Sequence, residues 1–322
     1  MTDKIEPAPA RGALKTIKWD GALISSAGVY DMPIDAYHSN NCAGPSISSS
    51  GLRIIEMESP LKYWDTSYLN PNRAPPESKK HFSFGHAVHT LMLGEEGFAR
   101  QFALRPESID GAAWQSNRTV CRQWIASKEA AGVSVITAAE IEDIRGIARA
   151  LDRHPLVKMG LLNGEIEKSL VWKDEETGIF LKARPDALPV NADLVADLKT
   201  TSDISARGTR AAISDYGYHM QMALIGIGMA AVLDRKISDE DYVLIFVEKT
   251  RPYDINVKPL AAESIAFGRM QIRRALRKMA DCLAKNEWPG VEDDGQTAWL
   301  PDYYRKRIER EIQDGLLDNM VA

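Results

Sequence analysis

Pro185 and Asp186 are followed, after ten intervening residues, by Asp197-Leu198-Lys199. Two carboxylates and an ammonium in this arrangement suit one kind of chemistry, metal-assisted cleavage of a phosphodiester. A hard divalent cation such as Mg2+ wants oxygen ligands in near-octahedral geometry and keeps several waters. Two carboxylates plus substrate phosphate oxygens therefore make a site for it. Such an ion stabilises charge on the scissile phosphate and makes a bound water more acidic. Lys199, beside that water, would position it or take its proton. The same tripeptide also occurs as a solvated ion pair on many sheets, so its surroundings must decide.

Strand periodicity supplies the first of those surroundings. Residues 169–172, 179–181 and 194–198 are short apolar runs, separated by 175–178 and 189–192, and together they predict a β-meander. Side chains alternate along a strand, so Asp197 and Lys199 share one face while Ala196 and Leu198 share the other.

Upstream, Ser48 or Ser49 is expected to cap a helix running to about Asp65, with Pro60 marking a kink or an early end. Residues 84–102, 115–128 and 138–153 read as helices, and 70–80 as a proline-rich loop. Beyond the meander, 205–233 reads as mostly helical, 242–247 and 254–257 as strands, and 263–285 as a last long helix. Its Arg269, Arg273 and Arg277 recur every four residues, either as a basic face for DNA or as an ordinary solvated one. Arg207 and Arg210 lie closer in sequence to the chemistry. A short helix is expected at 303–313. Residues 1–20 read as a tail, 21–290 as one domain with a helical first half (48–153) and catalytic elements (167–288), and 291–322 as an extension.

With the Asp186 to Lys199 motif included, six elements occur in order: Ser48-Ser49-Ser50-Gly51-Leu52 with Ser59-Pro60; Phe84-Gly85-His86-Ala87-Val88-His89-Thr90-Leu91; Glu167-Lys168-Ser169; Arg184-Pro185-Asp186-Ala187; Asp197 to Thr201; and Tyr216-Gly217-Tyr218-His219-Met220-Gln221. In these the chain resembles the PD-(D/E)XK nuclease superfamily, specifically the RecE-type phage and prophage exonucleases related to the RecB nuclease domain and to lambda exonuclease. The resemblance runs from Gly28 to Gly290. It implies an α/β fold: a restriction-endonuclease-like core with a central mixed β-sheet flanked by helices, and a helical N-terminal half.

It also implies His89, Asp186, Asp197 and the Leu198 carbonyl as metal ligands, with Glu167 a weaker candidate, Lys199 as the catalytic lysine and Gln221 as its helper. On the residues alone, His89 reads first as a locally bonded histidine, and the resemblance reverses that reading; His81, His86 and His219 keep it. Ser48 and Ser50 become candidates for DNA contact, with Arg207, Arg210, Arg269 and Arg273. Relatives often carry tyrosine four residues after the glutamine, where this chain has Ile225.

The activity implied is Mg2+-dependent degradation of linear double-stranded DNA from its 5′ end, with Mn2+ able to substitute. The implied assembly is a ring-shaped homo-oligomer, a trimer or tetramer, acting with a single-strand annealing recombinase. The setting would be the cytoplasm of a bacterial host, with the gene carried by a phage or prophage. A PD-(D/E)XK endonuclease and a catalytically inactive DNA-binding or assembly protein are the alternatives.

Composition fits these expectations. The chain has 322 residues, 44% hydrophobic and 26% charged, ordinary values for a protein with a substantial core. It shows no secretory signal and no apolar run of spanning length, so no membrane role is expected. Cys42, Cys121 and Cys282 are scattered, giving neither a disulfide framework nor the four ligands an iron-sulfur cluster needs. The net charge of −5 requires any DNA affinity to come from local cationic patches.

Overall fold

The computed structural model describes residues 14–74, 87–88, 98, 101–189, 194–291 and 295–317. Its largest sheet has five strands in the order β1-β2-β9-β10-β3. Three come early: β1 (Thr16–Lys18), β2 (Gly28–Asp31) and β3 (Ser46–Ser48). The other two, β9 (Ser169–Lys173) and β10 (Phe180–Ala183), form an antiparallel pair across the turn at 174–179. The first half is thus less helical than its sequence predicts. Strands of three or four residues carry too little alternation to be read by periodicity.

The second sheet holds β12 (Val195–Thr201), β13 (Tyr242–Glu248) and β14 (Ile255–Pro259). Here the expected meander is corrected. Instead of pairing with β10, β12 pairs parallel with β13, placing Asp197 opposite Leu244 and Lys199 opposite Phe246. Strand β13 is a near-continuous apolar run that needs cover on both faces, and β12, with Val195, Ala196 and Leu198 buried, lies along one of its edges. Two-residue β11 (Ala187–Leu188) pairs with β8 (Glu165–Ile166) between the two sheets.

Helices close the layers. The first is α1 (Ile34–His38). Next come α2 (Ser49–Met57) and α3 (Pro60–Thr66), separated at Pro60 as expected; the Ser59 hydroxyl accepts from the Lys62 N–H at 3.2 Å. An insert follows: β4 (Phe102–Leu104), β5 (Ser108–Ile109), β6 (Ala112–Ala113), α4 (Thr119–Ala130) and β7 (Ser134–Ile136). Then come α5 (Ala138–Arg153), opened by a Thr137/Glu140 capping box, and α6 (Pro155–Lys158). The predicted helix at 84–102 lies largely outside the described residues.

The segment predicted as one helical stretch is two helices, α7 (Ala206–Asp215) and α8 (Tyr218–Leu233). Gly217, at φ 59°, makes the left-handed break between them. Last come α9 (Ala262–Lys285) and α10 (Asp302–Gln313). Among the described residues, no helix is long and apolar enough to cross a membrane.

Helix α8 packs on β9, β10 and β12, and so joins the two sheets. The glycines that interrupt its apolar run are its contact points. A Cβ on Gly228 would lie 2.6 Å from the Trp172 ring, and one on Gly226 would collide with the Tyr242 hydroxyl. One core lies around α8 and contains Val195; a second lies behind β12, where Ala196 and Leu198 meet Ile144 and Ile147 of α5. Alternation along β12 is therefore as expected, and it turns Asp197 and Lys199 away from that second core.

Candidate active site

The two sheets meet at a hydrogen bond. Asp186, in the short link between β10 and β11, accepts the Leu198 N–H of β12 with Oδ2 at 2.7 Å. Both motif carboxylates are thereby held around one peptide unit. Asp197 is fully buried. Its Oδ1 accepts from Nε2 of Gln221 on α8 at 3.2 Å, and its Oδ2 is ion-paired with the Lys199 ammonium. Lys199 also lies over the Tyr218 ring, 4.8 Å from its centroid. Burial pushes the Lys199 pKa down, but Asp197 and Asp186 more than offset it, so the group is held above the ordinary lysine range and keeps its proton.

Beside these groups opens a cavity of about 370 Å³. Asp186 and Gln221 line one side; Ser48, Ser50, Arg53 and Arg184 line another. Ser48 stands at the N-cap of α2 but makes no side-chain cap bond, and its hydroxyl meets that of Ser50 at 3.0 Å instead. The helix terminus, with its unsatisfied N–H groups, therefore contributes positive potential to the cavity, as Arg53 does. Glu167 also lines it, at φ 50°. A glutamate held left-handed is a strained arrangement. Its N–H donates to the Asp186 carbonyl at 3.2 Å and its carboxylate binds Arg184 at 3.0 Å. Arg184 is anchored further by the Met32 carbonyl (2.9 Å) and the Ser169 hydroxyl (3.1 Å).

The structure thus brings together Asp186, Asp197, Leu198, Lys199 and Gln221, with Glu167, Ser48 and Ser50 on the same cavity. His89 lies outside the described residues. Ala87 and Val88, just before it, are buried in the core behind β12 with Ala196 and Leu198. His219 is bonded away from the cavity, to the Ile213 carbonyl at 3.3 Å and to Gln271 of α9 at 2.6 Å. Ile225, four residues after Gln221, lines the cavity wall.

Four candidate arginines are not brought to this cavity. Arg269 forks onto Asp239, and Arg273 onto Asp174 at 2.9 and 2.8 Å. The α9 arginines clamp this helix to its neighbours, Arg277 pairing with Glu176 and Arg274 with Glu56 of α2. Arg207 and Arg210 sit on α7, and Arg210 borders a larger groove of about 1020 Å³ that contains none of the motif carboxylates. Arg53, Arg184 and Tyr218 were not singled out as site residues in the sequence. Arg184 and Tyr218 fall inside quoted motifs, whereas nothing local marks Arg53.

Among the described residues, no group of three His, Cys, Asp or Glu side chains converges as a metal cage. The donors present still fit a hard cation. Asp186 and Asp197 bring two carboxylates to the two sides of the Asp197–Leu198 peptide, and Lys199 pairs with Asp197. Two carboxylates that leave room for water and phosphate oxygens match the usual coordination of Mg2+.

A mixed α/β core, with its catalytic-type residues where two sheets join, defines a nuclease of the PD-(D/E)XK superfamily. Residues 62–296 match the family described as a PDDEXK-like domain of unknown function (DUF3799), and the chain belongs to that family. No curated protein matches the chain. A solved structure from Eubacterium rectale, titled "Putative exonuclease", is similar in fold: TM-score 0.51 at 11% identity, covering 86% of this chain and 98% of that one.

Proposed function

We propose that the protein is a Mg2+-dependent exodeoxyribonuclease of the RecE type. It degrades one strand of linear duplex DNA in the 5′-to-3′ direction and leaves 3′ overhangs for recombination. The observation that carries this reading is the junction of Asp186, Asp197, Lys199 and Gln221 beside a cavity rimmed by Ser48, Ser50, Arg53 and Arg184. A ring-shaped homo-oligomer and a single-strand annealing partner follow from the same resemblance.

A divalent cation held by Asp186, Asp197 and the Leu198 carbonyl would supply charge neutralisation at the scissile phosphate and a more acidic water. The chain's own groups do the rest. Arg53, the α2 terminus and the serine hydroxyls hold the phosphate. Gln221 fixes the rotamer of Asp197. Lys199, kept protonated by two carboxylates, places positive charge where negative charge develops on the phosphate.

Incubating linear and closed-circular duplexes with Mg2+ or chelator tests the proposal. Digestion of linear DNA alone, only with metal, is expected. Cutting of circles would establish an endonuclease instead, and binding without cutting a non-catalytic protein. Lys199→Ala should abolish cleavage while leaving binding largely intact, since it removes a group at the reacting centre. Undiminished cleavage by that variant would overturn the assignment of Lys199.

A further inference from the structure

Trp114 and Trp124 stand outside every hydrophobic core among the described residues. Trp114 follows the β5–β6 hairpin and Trp124 lies on α4; neither belongs to any of the three apolar clusters or packs against one. They meet edge to face, with centroids 5.6 Å apart and planes at 83°. A cation sits on each: Arg105 lies 5.8 Å from the Trp114 centroid and Lys128 5.4 Å from that of Trp124. Arg118 secures the hairpin, reaching the Ala112 and Ala113 carbonyls at 3.4 and 3.3 Å. The Trp114 Nε1 is shielded from solvent and has no hydrogen-bond partner among the described residues.

The contrast with α9 is what gives this cluster meaning. There each arginine holds a carboxylate. Arg105 and Lys128 hold only aromatic rings, so their charge is uncompensated by any carboxylate among the described residues. Large rings without a core, flanked by unneutralised cations, match the requirements of single-stranded nucleic acid: π-faces for bases and positive charge for the phosphates between them.

We propose that the β5–β6 hairpin and α4 form a binding platform for single-stranded DNA, separate from the catalytic cavity. Bases stack on Trp114 and Trp124, and Arg105 and Lys128 take the adjoining phosphates. The choice of DNA rests on the nuclease reading above, in which a single strand is the product left behind. The platform lies on the insert that reaches the back of β12 through Phe102 and Ile136, which pack with Ala196 and Leu198.

The test is anisotropy of labelled oligo(dT) with the full chain in chelator, so that nothing is cut. Replacing both tryptophans by alanine should weaken binding roughly 5- to 150-fold per stacked base. Trp114→Phe with Trp124→Phe should restore most of it. Arg105→Ala with Lys128→Ala should flatten the dependence of log K on log salt by about 0.7 per lost phosphate contact. Unchanged oligo(dT) affinity in a natively folded alanine pair overturns the platform. If that pair fails to fold, an unchanged salt slope in the Arg105/Lys128 pair does so. Because binding is read without metal, failure of the platform stays distinct from failure of the nuclease reading, which is judged by cleavage of linear duplex.

Discussion

Tyr218 shows how one side chain conditions the chemistry of another. Its ring lies 4.8 Å from the Lys199 ammonium, on the first turn of the helix that also carries Gln221. A cation over an aromatic face in a largely desolvated place gains about 1–2 kcal/mol, so the ring holds the ammonium in one position as well as stabilising it. Tyr218→Ala should therefore lower kcat about 5- to 30-fold with little change in KM, whereas Tyr218→Phe should retain most activity. Steady-state kinetics on linear duplex gives the answer. Equal losses in the two variants would assign the role to the hydroxyl instead of the ring. That the ring would face Lys199 was not legible from spacing, because the contact joins a strand to a helix across the fold. Asp197 and Lys199 were legible because strand alternation puts them on one face, whereas the bond that brings Asp186 to Leu198 joins two sheets and has no local signal.

At the level of elements, long periodic segments were readable and short ones were not. Helix α5 begins and ends where its sequence predicts, since it carries both an amphipathic stripe and a capping box. The meander was misjudged at β12, because an apolar run does not reveal whether its neighbour is parallel or antiparallel. The arginine row on α9 was equally ambiguous, and its partners resolve it. Arg273 forks onto Asp174 in the turn after β9, a carboxylate only 8% exposed. Burial alone would raise the Asp174 pKa, but the Arg273 fork and the Thr177 bonds pull it below the usual range. A depressed carboxylate contributes stability that is present above its unfolded pKa and is lost as pH falls through the folded one. Arg273→Ala should thus cost about 1–3 kcal/mol near neutral pH, discounted because Arg273 is 38% exposed, and the gap from wild type should narrow in acid. Urea melts at pH 7 and in the acid range measure this. Unaltered stability combined with weaker DNA binding would return Arg273 to the role of a DNA contact.

For the molecule as a whole, the decisive arrangement is that its site belongs to neither sheet alone. Asp186 comes from the end of the five-stranded sheet and Asp197 from the three-stranded one; the 2.7 Å bond from Leu198 to Asp186 and the packing of α8 hold them in register. In the unfolded chain the two carboxylates are separated by ten intervening residues and form no site, so a cation that needs both binds only the folded state. Binding must then stabilise the fold by linkage, about 2.7 kcal/mol at a concentration one hundred times Kd. For a chain of this size that corresponds to a rise in Tm of several degrees. Wild-type protein should melt higher with Mn2+ or Mg2+ than with chelator. Asp186→Asn, which keeps the shape of the side chain but removes its charge, should lose that increment while melting in chelator close to wild type. A metal-independent Tm in the wild type, or an undiminished increment in the asparagine variant, would remove Asp186 from the ligand set. A variant that melts far below wild type even in chelator would give Asp186 a different office, that of the joint between the sheets through Leu198, with any metal held elsewhere.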